Sequence, residues 1–382
     1  MSLVLLAPIL VSLFYYVASA LLIVAHYRGA GKEPEDRSGA AAPPPASILK
    51  PVAGAEPGCL ENFRTFCQQD YPSYEIVFAT SRSDDPVIGV VEQLKAEFPE
   101  KEIRWVLAEE NPGPNYKVGN LVAAVRNARY DFLVMSDSDM RVEPDYLRRV
   151  AAEFERGGAG ALTCLYRGVA VRGIAAALQA LFIQTDFVPN VLLGKRLEGI
   201  SYGFGATIAA TRQGIEEIGG LEPLREYLAD DYQIVNRICG KGGRATLSTL
   251  LVDHASTLDS FRAYFSHHLR WSITQRVSRP AGYTASVVTH GVSLALLFLL
   301  LRGFSHGALA VFLLVLAVRF LTFLHVDRAV FRNRRIIRYA WLLPVKDLLN
   351  TLVWFLSLFT NTVSWRGRRF RILKSGKMVE IG

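Results

Sequence analysis

The feature that most constrains this 382-residue chain is the run from Leu3 to Ala25, 23 residues without a charge. At about 1.5 Å per residue, a helix of this length crosses a hydrocarbon core of roughly 30 Å. No Lys or Arg precedes the run, whereas Arg28 and Lys32 follow it. The positive-inside rule therefore predicts a transmembrane anchor over residues 1–28, with the chain continuing in the cytosol. A cleaved signal peptide is the alternative, but it requires a basic start and a shorter apolar core.

Two further apolar stretches predict a transmembrane hairpin over residues 281–326, with its turn at Arg302-Gly303. Arg319 lies near the end of the second stretch, and we expect its long side chain to snorkel to the interface. The next loop, 327–338, is rich in arginine, which marks the cytosolic side and agrees with the orientation of the anchor.

The segment 339–365 is apolar but is interrupted by Pro344, Lys346 and Asp347. Each charge at the centre of a span costs about 2.5–3.5 kcal/mol on the insertion scale. We therefore expect a re-entrant or interfacial hairpin, with a full transmembrane crossing as the alternative. The tail 366–382 is basic, which favours the cytosol.

Between the apolar ends, a linker over 29–46, rich in Gly, Ala and Pro, leads into a predicted catalytic domain over 47–257. In its first half, strand patterns alternate with helix patterns, which indicates an α/β fold with a mostly parallel sheet. The predicted strands are Ser47–Val52, Tyr74–Thr80, Ile103–Leu107 and Asp131–Met135, and the predicted helices are 59–68, 87–98, 117–129 and 144–155. Residues 258–280 then predict an interfacial helix before the hairpin.

Composition excludes several classes of function. The formal net charge is +8, but much of the Lys and Arg flanks the apolar segments, which argues against a nucleic-acid partner. The four cysteines show no metal-ligand spacing, so a zinc ribbon or disulfide scaffold is not expected. The sequence also lacks a GxGxxG after its first strand and a GxxxxGK[ST] motif, which argues against dinucleotide redox chemistry and P-loop phosphoryl transfer.

Acidic pairs follow two predicted strands, where ligands bind in open α/β sheets. Asp84 and Asp85 come after the strand ending at Thr80, and Asp137 and Asp139 come after the strand ending at Met135. Two aspartates at i and i+2 suit a hard divalent cation such as Mg²⁺, which bridges carboxylates and substrate phosphates. Helix capping or a simple turn is the alternative for each pair.

Two later motifs carry candidate chemistry. Asp230-Asp231 either supports the start of a helix through its dipole or supplies a general base that takes a proton from an acceptor hydroxyl. Arg270-Trp271 either anchors a helix at the membrane interface or holds a phosphate beside a closing aromatic ring. His267 lies one helical turn before Arg270.

In this order, the motifs resemble membrane glycosyltransferases of the ceramide glucosyltransferase family, and most closely their bacterial relatives of hopanoid biosynthesis. Further matching stretches carry the resemblance over nearly the whole chain: 47–52, 70–75, 115–121 and 364–366. The resemblance implies a GT-A nucleotide-sugar-binding domain flanked by transmembrane helices, located in a bacterial inner membrane with the catalytic domain in the cytosol. Asp139 stands where the eukaryotic enzymes have Gly, which favours the bacterial branch.

The resemblance also implies roles for individual residues. Asp84 or Asp85 would hold the uridine or ribose of a UDP-sugar donor, and Lys117 is a further donor contact. Asp137 and Asp139 would bind the diphosphate through Mg²⁺ or Mn²⁺, with Asp230 as part of the substrate-binding set. Asp231 would be the base, and Arg270 and Trp271 would lie at the diphosphate and the acceptor face. His267 replaces the family's usual Gln or Arg, and a protonated His267 is expected to donate to the diphosphate.

The expected reaction is an inverting transfer of one sugar to a lipid hydroxyl at the cytosolic face of the membrane. The helical pattern in 169–197 and the segment 258–279 suggest surfaces that lie in the interface, although an ordinary core helix is the alternative for 169–197. A processive polysaccharide synthase is a second possible function, which needs a longer channel of spans. A non-enzymatic membrane scaffold or transporter subunit is a third.

Overall fold

A computed structural model of the chain describes residues 2–28, 42–108, 113–170 and 173–381. Most of the predicted linker, residues 29–41, therefore lies outside the described residues.

The central sheet begins with the four strands that the sequence predicts, each within one residue of its predicted ends. It then continues with strands that were not predicted in the second half of the domain. The eight strands are β1 (Ala46–Pro51), β2 (Tyr74–Thr80), β3 (Glu102–Leu107), β4 (Phe132–Met135), β5 (Met140–Arg141), β6 (Ala161–Ala170), β7 (Ile208–Thr211) and β8 (Ala245–Ser256).

The strand order is β3-β2-β1-β4-β7-β6-β8-β5. The first four strands are parallel, as predicted. The second half is mixed, because β7 is antiparallel to both β4 and β6, whereas β6 and β8 are parallel. A parallel first half brings the carboxyl ends of β1, β2 and β4 to one edge of the sheet.

Helices cover both faces of this sheet, and the four predicted ones begin and end within two residues of their predicted bounds. Those of the domain are α2 (Cys59–Cys67), α3 (Val87–Glu97), α4 (Tyr116–Asn127), α5 (Tyr146–Gly157), α6 (Gly173–Phe182), α7 (Val188–Glu198), α8 (Arg212–Glu217) and α9 (Asp230–Gly240). Alternate residues of β1 serve the two faces: Ile48 packs with Phe63 and Phe66, and Leu49 packs with Val118. Because both faces are buried, apolar residues follow one another without alternation in these strands, as in β4, Phe132–Met135.

The helices at the two ends of the chain form a second layer. They are α1 (Leu6–Arg28), α10 (Phe261–Ser278), α11 (Pro280–Ala285), α12 (Gly291–Leu301), α13 (His306–Val326), α14 (Arg334–Ile337) and α15 (Leu343–Ser357). Within the described ranges, three helical segments are long and apolar enough to cross a membrane: Leu6–Arg28, Gly173–Glu198 and His306–Phe331. The pair Pro280–Thr289 and Gly291–Leu301 would add a fourth if its two helices, bent by 55°, form one span.

The segment Gly173–Glu198 is a core element despite its composition. It contains α6, the π-helical segment Ile183–Phe187 and α7, and all side chains from residue 175 to 189 are buried within the protein. The interfacial interpretation of 169–197 is therefore wrong, and the core-helix alternative holds. Its apolar residues pack against protein rather than lipid, which periodicity alone does not distinguish.

Arg319 does not snorkel to the interface. Its side chain is 6% exposed, and its guanidinium lies 2.8 Å from Asp347 and 3.2 Å from Asp186. Lys346, which is fully buried, pairs with the same two carboxylates. Two cations and two carboxylates thus form a neutral network between α13, α15 and the segment Ile183–Phe187. Because Arg319 is paired inside the protein, its side chain does not extend to the membrane interface. Lys346 and Asp347 are paired in the same way, so the cost of exposing a charge to lipid does not apply to them.

The C-terminal residues are folded. A three-stranded antiparallel sheet consists of β9 (Thr362–Trp365), β10 (Arg368–Ile372) and β11 (Met378–Glu380). Phe370 and Met378 pack with Leu228 and Ile273, and the Leu228 N–H donates to the Gly376 carbonyl over 3.3 Å. The predicted basic tail is thus a small sheet that rests on α10 and on the loop before α9.

Candidate active site

The turn Asp137-Ser138-Asp139 lies at the carboxyl edge of the sheet, directly after β4. The Asp137 N–H donates to the Gly205 carbonyl over 2.9 Å, which fixes where the turn leaves the strand. The side chains of Asp137 and Asp139 remain 32% and 33% exposed, so both line an open site. Position and partial exposure together make this turn a candidate binding site.

Lys117, in the first turn of α4, joins two of the acidic motifs. Its Nζ lies 2.7 Å from Asp137 Oδ1 and 3.0 Å from Asp230 Oδ2. Burial alone would lower the pKa of Lys117, but Asp137 and Asp230 outweigh it and hold the pKa above its usual range. Asn115 caps α4 and also donates to the Tyr227 carbonyl over 2.8 Å, which orients this helix toward the start of α9. The ammonium is thus a fixed positive charge inside the site.

Asp231, in the first turn of α9, meets the same centre through the backbone of Gly205. The Gly205 N–H donates to Asp231 Oδ2 over 3.1 Å, while the Gly205 carbonyl accepts from Asp137. Burial, together with the neighbouring Asp230, raises the pKa of Asp231 to about 6. A carboxylate with such a pKa is suited to accept a proton near neutral pH.

Gly205 itself is required by the packing of this centre. A Cβ at this position would lie 2.2 Å from Asp137 Oδ2 and 2.9 Å from Lys117 Nζ. Both distances are shorter than real carbon contacts allow, so any side chain here would displace the carboxylate or the ammonium.

Asp139 is held by His254 of β8. His254 Nε2 lies 3.2 Å from Asp139 Oδ2, and the ladder between β5 and β8 places His254 opposite Met140. Burial raises the pKa of Asp139, but His254 outweighs it and the pKa lies below its usual value. The carboxylate is therefore ionised, and its second oxygen, Oδ1, is buried without a hydrogen-bond partner among the described residues.

Lys50 lies beneath the turn at the end of β1 and is fully buried. Its ammonium donates to the Asp137 carbonyl over 2.5 Å and to Ser136 Oγ over 3.2 Å, and it lies 3.7 Å from the centre of the Phe66 ring. Burial lowers the pKa of Lys50 to about 7, against the opposing effect of Asp137 and Asp139. Lys50 thus supports the turn from below without reaching solvent.

The Arg270-Trp271 motif lies on α10 beside the acidic centre. Burial lowers the pKa of Arg270, and the negative charges of Asp230, Asp137 and Asp231 oppose this change. Trp271 packs against Phe187, with ring centres 6.4 Å apart.

His267 orients Arg270. An Arg270 N–H donates to His267 Nδ1 over 3.3 Å, and His267 Nε2 lies 3.2 Å from the Gln179 side-chain amide. Burial and the Arg270 charge hold the pKa of His267 well below its usual range, so the ring is neutral. Because a guanidinium only donates, His267 Nδ1 is the acceptor in its contact with Arg270. Here His267 contacts Arg270, and its contact with the diphosphate stays a prediction.

Asp84 and Asp85 contact other residues rather than members of this centre. Asp84 is exposed and pairs with Arg82 at 2.8 Å. Asp85 is buried and accepts from the Gly54 and Val87 N–H groups, each over 2.9 Å. The predicted contact of this pair with the uridine stays a prediction, and the bonds seen here are those of a loop support.

The structure thus brings together Lys117, Asp137, Asp230 and Asp231, with Asp139 and Arg270 at their sides. The sequence interpretation did not include three residues that shape this centre: Lys50, Gly205 and His254. A lysine inside the apolar strand Ser47–Val52 was a usable signal, because an ionised side chain in a buried strand requires a partner. Gly205 and His254 gave no such signal, since their roles depend on contacts across distant parts of the chain.

The donor set of Asp137 and Asp139 fits a hard divalent cation. In the described part of the chain, no cluster of three or more His, Cys, Asp or Glu residues forms a complete metal cage. Mg²⁺ typically binds through one or two carboxylates and takes its remaining ligands from water and substrate phosphates. The unpartnered Oδ1 of Asp139 agrees with such a partial site.

Comparison with known proteins gives a family match over almost the whole chain. Residues 4–378 match Glycosyl transferase family 21. Ceramide glucosyltransferase 1 of Caenorhabditis elegans is 24% identical over 88% of this chain and 73% of its own length. Ceramide glucosyltransferase 3 of the same organism is 26% identical over 67% of this chain and 55% of its own length, so the chain spans about half of this relative.

Among solved structures, a mannosyltransferase of Pyrobaculum calidifontis, in complex with GDP-Man and Mn²⁺, covers 91% of this chain and 98% of its own at 18% identity, with a TM-score of 0.49. Residues 1–349 of S. aureus TarS, in complex with UDP-GlcNAc, cover 88% and 99% at 14% identity, with a TM-score of 0.41.

Proposed function

Because the chain belongs to glycosyl transferase family 21, we propose that it moves one hexose or N-acetylhexosamine from a UDP-sugar to a lipid hydroxyl. The observation that carries this proposal is the bridge through Gly205, which joins the candidate base Asp231 to the turn of Asp137. In this proposal, the base and the diphosphate-binding turn act on the same sugar, because the bridge holds them close together. The ceramide glucosyltransferases among its relatives favour a lipid as acceptor.

In this proposal, Asp231 takes the proton of the acceptor hydroxyl. The acceptor oxygen forms a bond to the anomeric carbon from the face opposite UDP, the bond from that carbon to the diphosphate oxygen breaks, and UDP leaves with the electron pair. A single displacement of this kind inverts the anomeric carbon. The raised pKa of Asp231, about 6, allows it to be ionised before the reaction and to hold the proton afterwards.

Asp137 and Asp139 would hold Mg²⁺ or Mn²⁺, which neutralises charge on the diphosphate when bound. Lys117 and Arg270 add fixed positive charge around the same groups, and preorganised charge of this kind is often the largest electrostatic contribution to catalysis. Asp230 holds Lys117 in place, and Trp271 closes the acceptor side.

The acceptor we propose is ceramide-like or a hopanoid, and the reaction would occur at the cytosolic face of a bacterial inner membrane. Helices that are able to span a membrane on both sides of the domain support a membrane-bound acceptor. A processive synthase remains the second candidate, because it would use the same acidic centre.

Purified protein incubated with a panel of radiolabelled UDP-sugars and membrane lipids tests this proposal. We expect a lipid carrying one sugar, identified by mass spectrometry, with inverted configuration by NMR. Asp231→Asn should abolish transfer, and Asp131→Asn is the matched control, because Asp131 is 84% exposed and outside the centre. A polymeric product would support the synthase, and transfer that survives in Asp231→Asn would exclude Asp231 as the base.

A further inference from the structure

A groove lies between α10, α15 and β9, next to the candidate active site. Its cavity is about 550 Å³, within the range of small-molecule pockets. Its exposed lining is mostly apolar and includes Phe261, Phe265, Leu269, Leu349 and Val363, with Arg262 and Arg270 as its charged residues. Among the described residues no carboxylate lines it, so it is unsuited to a cationic ligand.

The inner end of the groove reaches the catalytic centre. Arg270 lines the groove, and the next residue, Trp271, packs against Phe187, which packs in turn against Phe204 beside Gly205. Tyr264, earlier on the same helix, also lines the groove.

The outer end opens onto apolar surface. Phe261, at the start of α10, is 56% exposed. On α15, Leu348, Leu352 and Phe355 are 40–51% exposed at helical spacing, so they form one apolar stripe. Exposed apolar stripes of this kind mark contact with lipid or with another protein. The groove therefore connects an apolar outer surface with the catalytic centre.

We infer that this groove holds the hydrocarbon chain of the acceptor lipid, with the lipid hydroxyl passing Arg270 to reach Asp231. The inference rests on the proposed function and adds the route and the residues that select the acceptor. An apolar chain suits the walls formed by Phe265, Leu349 and Val363, whereas the polar headgroup suits the end at Arg270. A water-soluble acceptor would gain nothing from these walls.

Photo-crosslinking tests the location of the lipid independently of activity. The full chain in detergent is irradiated with a long-chain alcohol, and separately with a ceramide, each carrying a diazirine in its chain. We expect adducts on peptides of α10 and α15, including the stretch from Phe261 to Arg270. Adducts confined to α1 and α13 would overturn the inference, even if the protein transfers sugar.

A steric block tests the same groove by function. Ser266 lines the groove on α10, and Ser266→Trp should lower kcat/KM for a long-chain acceptor at least tenfold while the affinity for UDP stays unchanged. Gln275→Trp is the control, because Gln275 is exposed on the same helix outside the groove. Equal activity of the two variants would overturn the inference. Absence of transfer by the wild type with every lipid would instead refute the proposed function, while the crosslinks still decide where lipid binds.

Discussion

Replacing Gly205 by Ala should remove most of the activity while leaving most of the stability. The added Cβ would lie 2.2 Å from Asp137 Oδ2, whereas ordinary contacts begin near 3.4 Å. The carboxylate must therefore move by about an ångström, and a displacement of that size at a reacting centre costs about 100-fold in rate.

The stability cost should be smaller for a structural reason. The group that must move is the end of a partly exposed side chain, and Asp137 can turn toward solvent without opening the core. Its ion pair with Lys117, 2.7 Å long, would lengthen or break. Residue 205 makes its bonds to Asp137 and Asp231 through its own backbone N–H and carbonyl, so Ala is able to keep them.

The assay compares kcat for sugar transfer and the thermal midpoint in detergent for the wild type, Gly205→Ala and a control. Gly89→Ala is the control, because Gly89 lies inside α3 and no atom is within 4 Å of its added Cβ. We expect the control to keep full activity and to gain up to about 1 kcal/mol from helix propensity. A Gly205→Ala enzyme with wild-type kcat would refute the packing argument and the placement of Asp137 in the reaction.

Three further predictions follow from the same contacts. The kcat/KM for the acceptor should fall tenfold per pH unit below about pH 6, because Asp231 becomes protonated there and loses its function as a base. It should be constant above about pH 7. A kcat/KM that does not fall at acidic pH would exclude Asp231 as the base. His254→Ala should raise the Mn²⁺ concentration needed for half-maximal activity 10–100-fold, because residues that orient a metal ligand typically contribute about that much to metal affinity. His306→Ala is the control and should leave this concentration unchanged, because His306 is exposed. Asp347→Asn should destabilise the protein by about 3–5 kcal/mol, seen as a lower unfolding midpoint, because it leaves two buried cations with the single carboxylate of Asp186. An unchanged midpoint would contradict the network.

Family, fold class and the first half of the sheet were predictable from the sequence. The family match confirms the resemblance to ceramide glucosyltransferases, and the four parallel strands confirm the α/β prediction. Both depend on local patterns: continuous apolar strands, alternating helices and acidic pairs at strand ends. The placement of Asp137 and Asp139 at the carboxyl edge follows from the same patterns, because β4 ends directly before them.

The remaining features depend on contacts between residues far apart in the chain. His254 reaches Asp139 because β8 pairs with β5, and nothing near residue 139 in the sequence indicates that pairing. Gly205 is needed because a Cβ would meet Asp137, which is a property of two segments brought together. The folded C-terminal sheet was missed because its basic residues were weighed as membrane flanks, whereas Phe370 and Met378 supply the packing.

The buried ion network shows why a division into membrane and catalytic parts is too simple for this chain. Asp186 lies in the π-helical segment Ile183–Phe187 and pairs with Arg319 of α13 and Lys346 of α15. Phe187, at the end of that segment, packs against Trp271 and against Phe204, next to Gly205. One short segment thus contacts the charges of the apolar helices on one side and the catalytic centre on the other. Since leaving any of these charges unpaired inside the protein is costly, the apolar helices and the catalytic geometry are stabilised together.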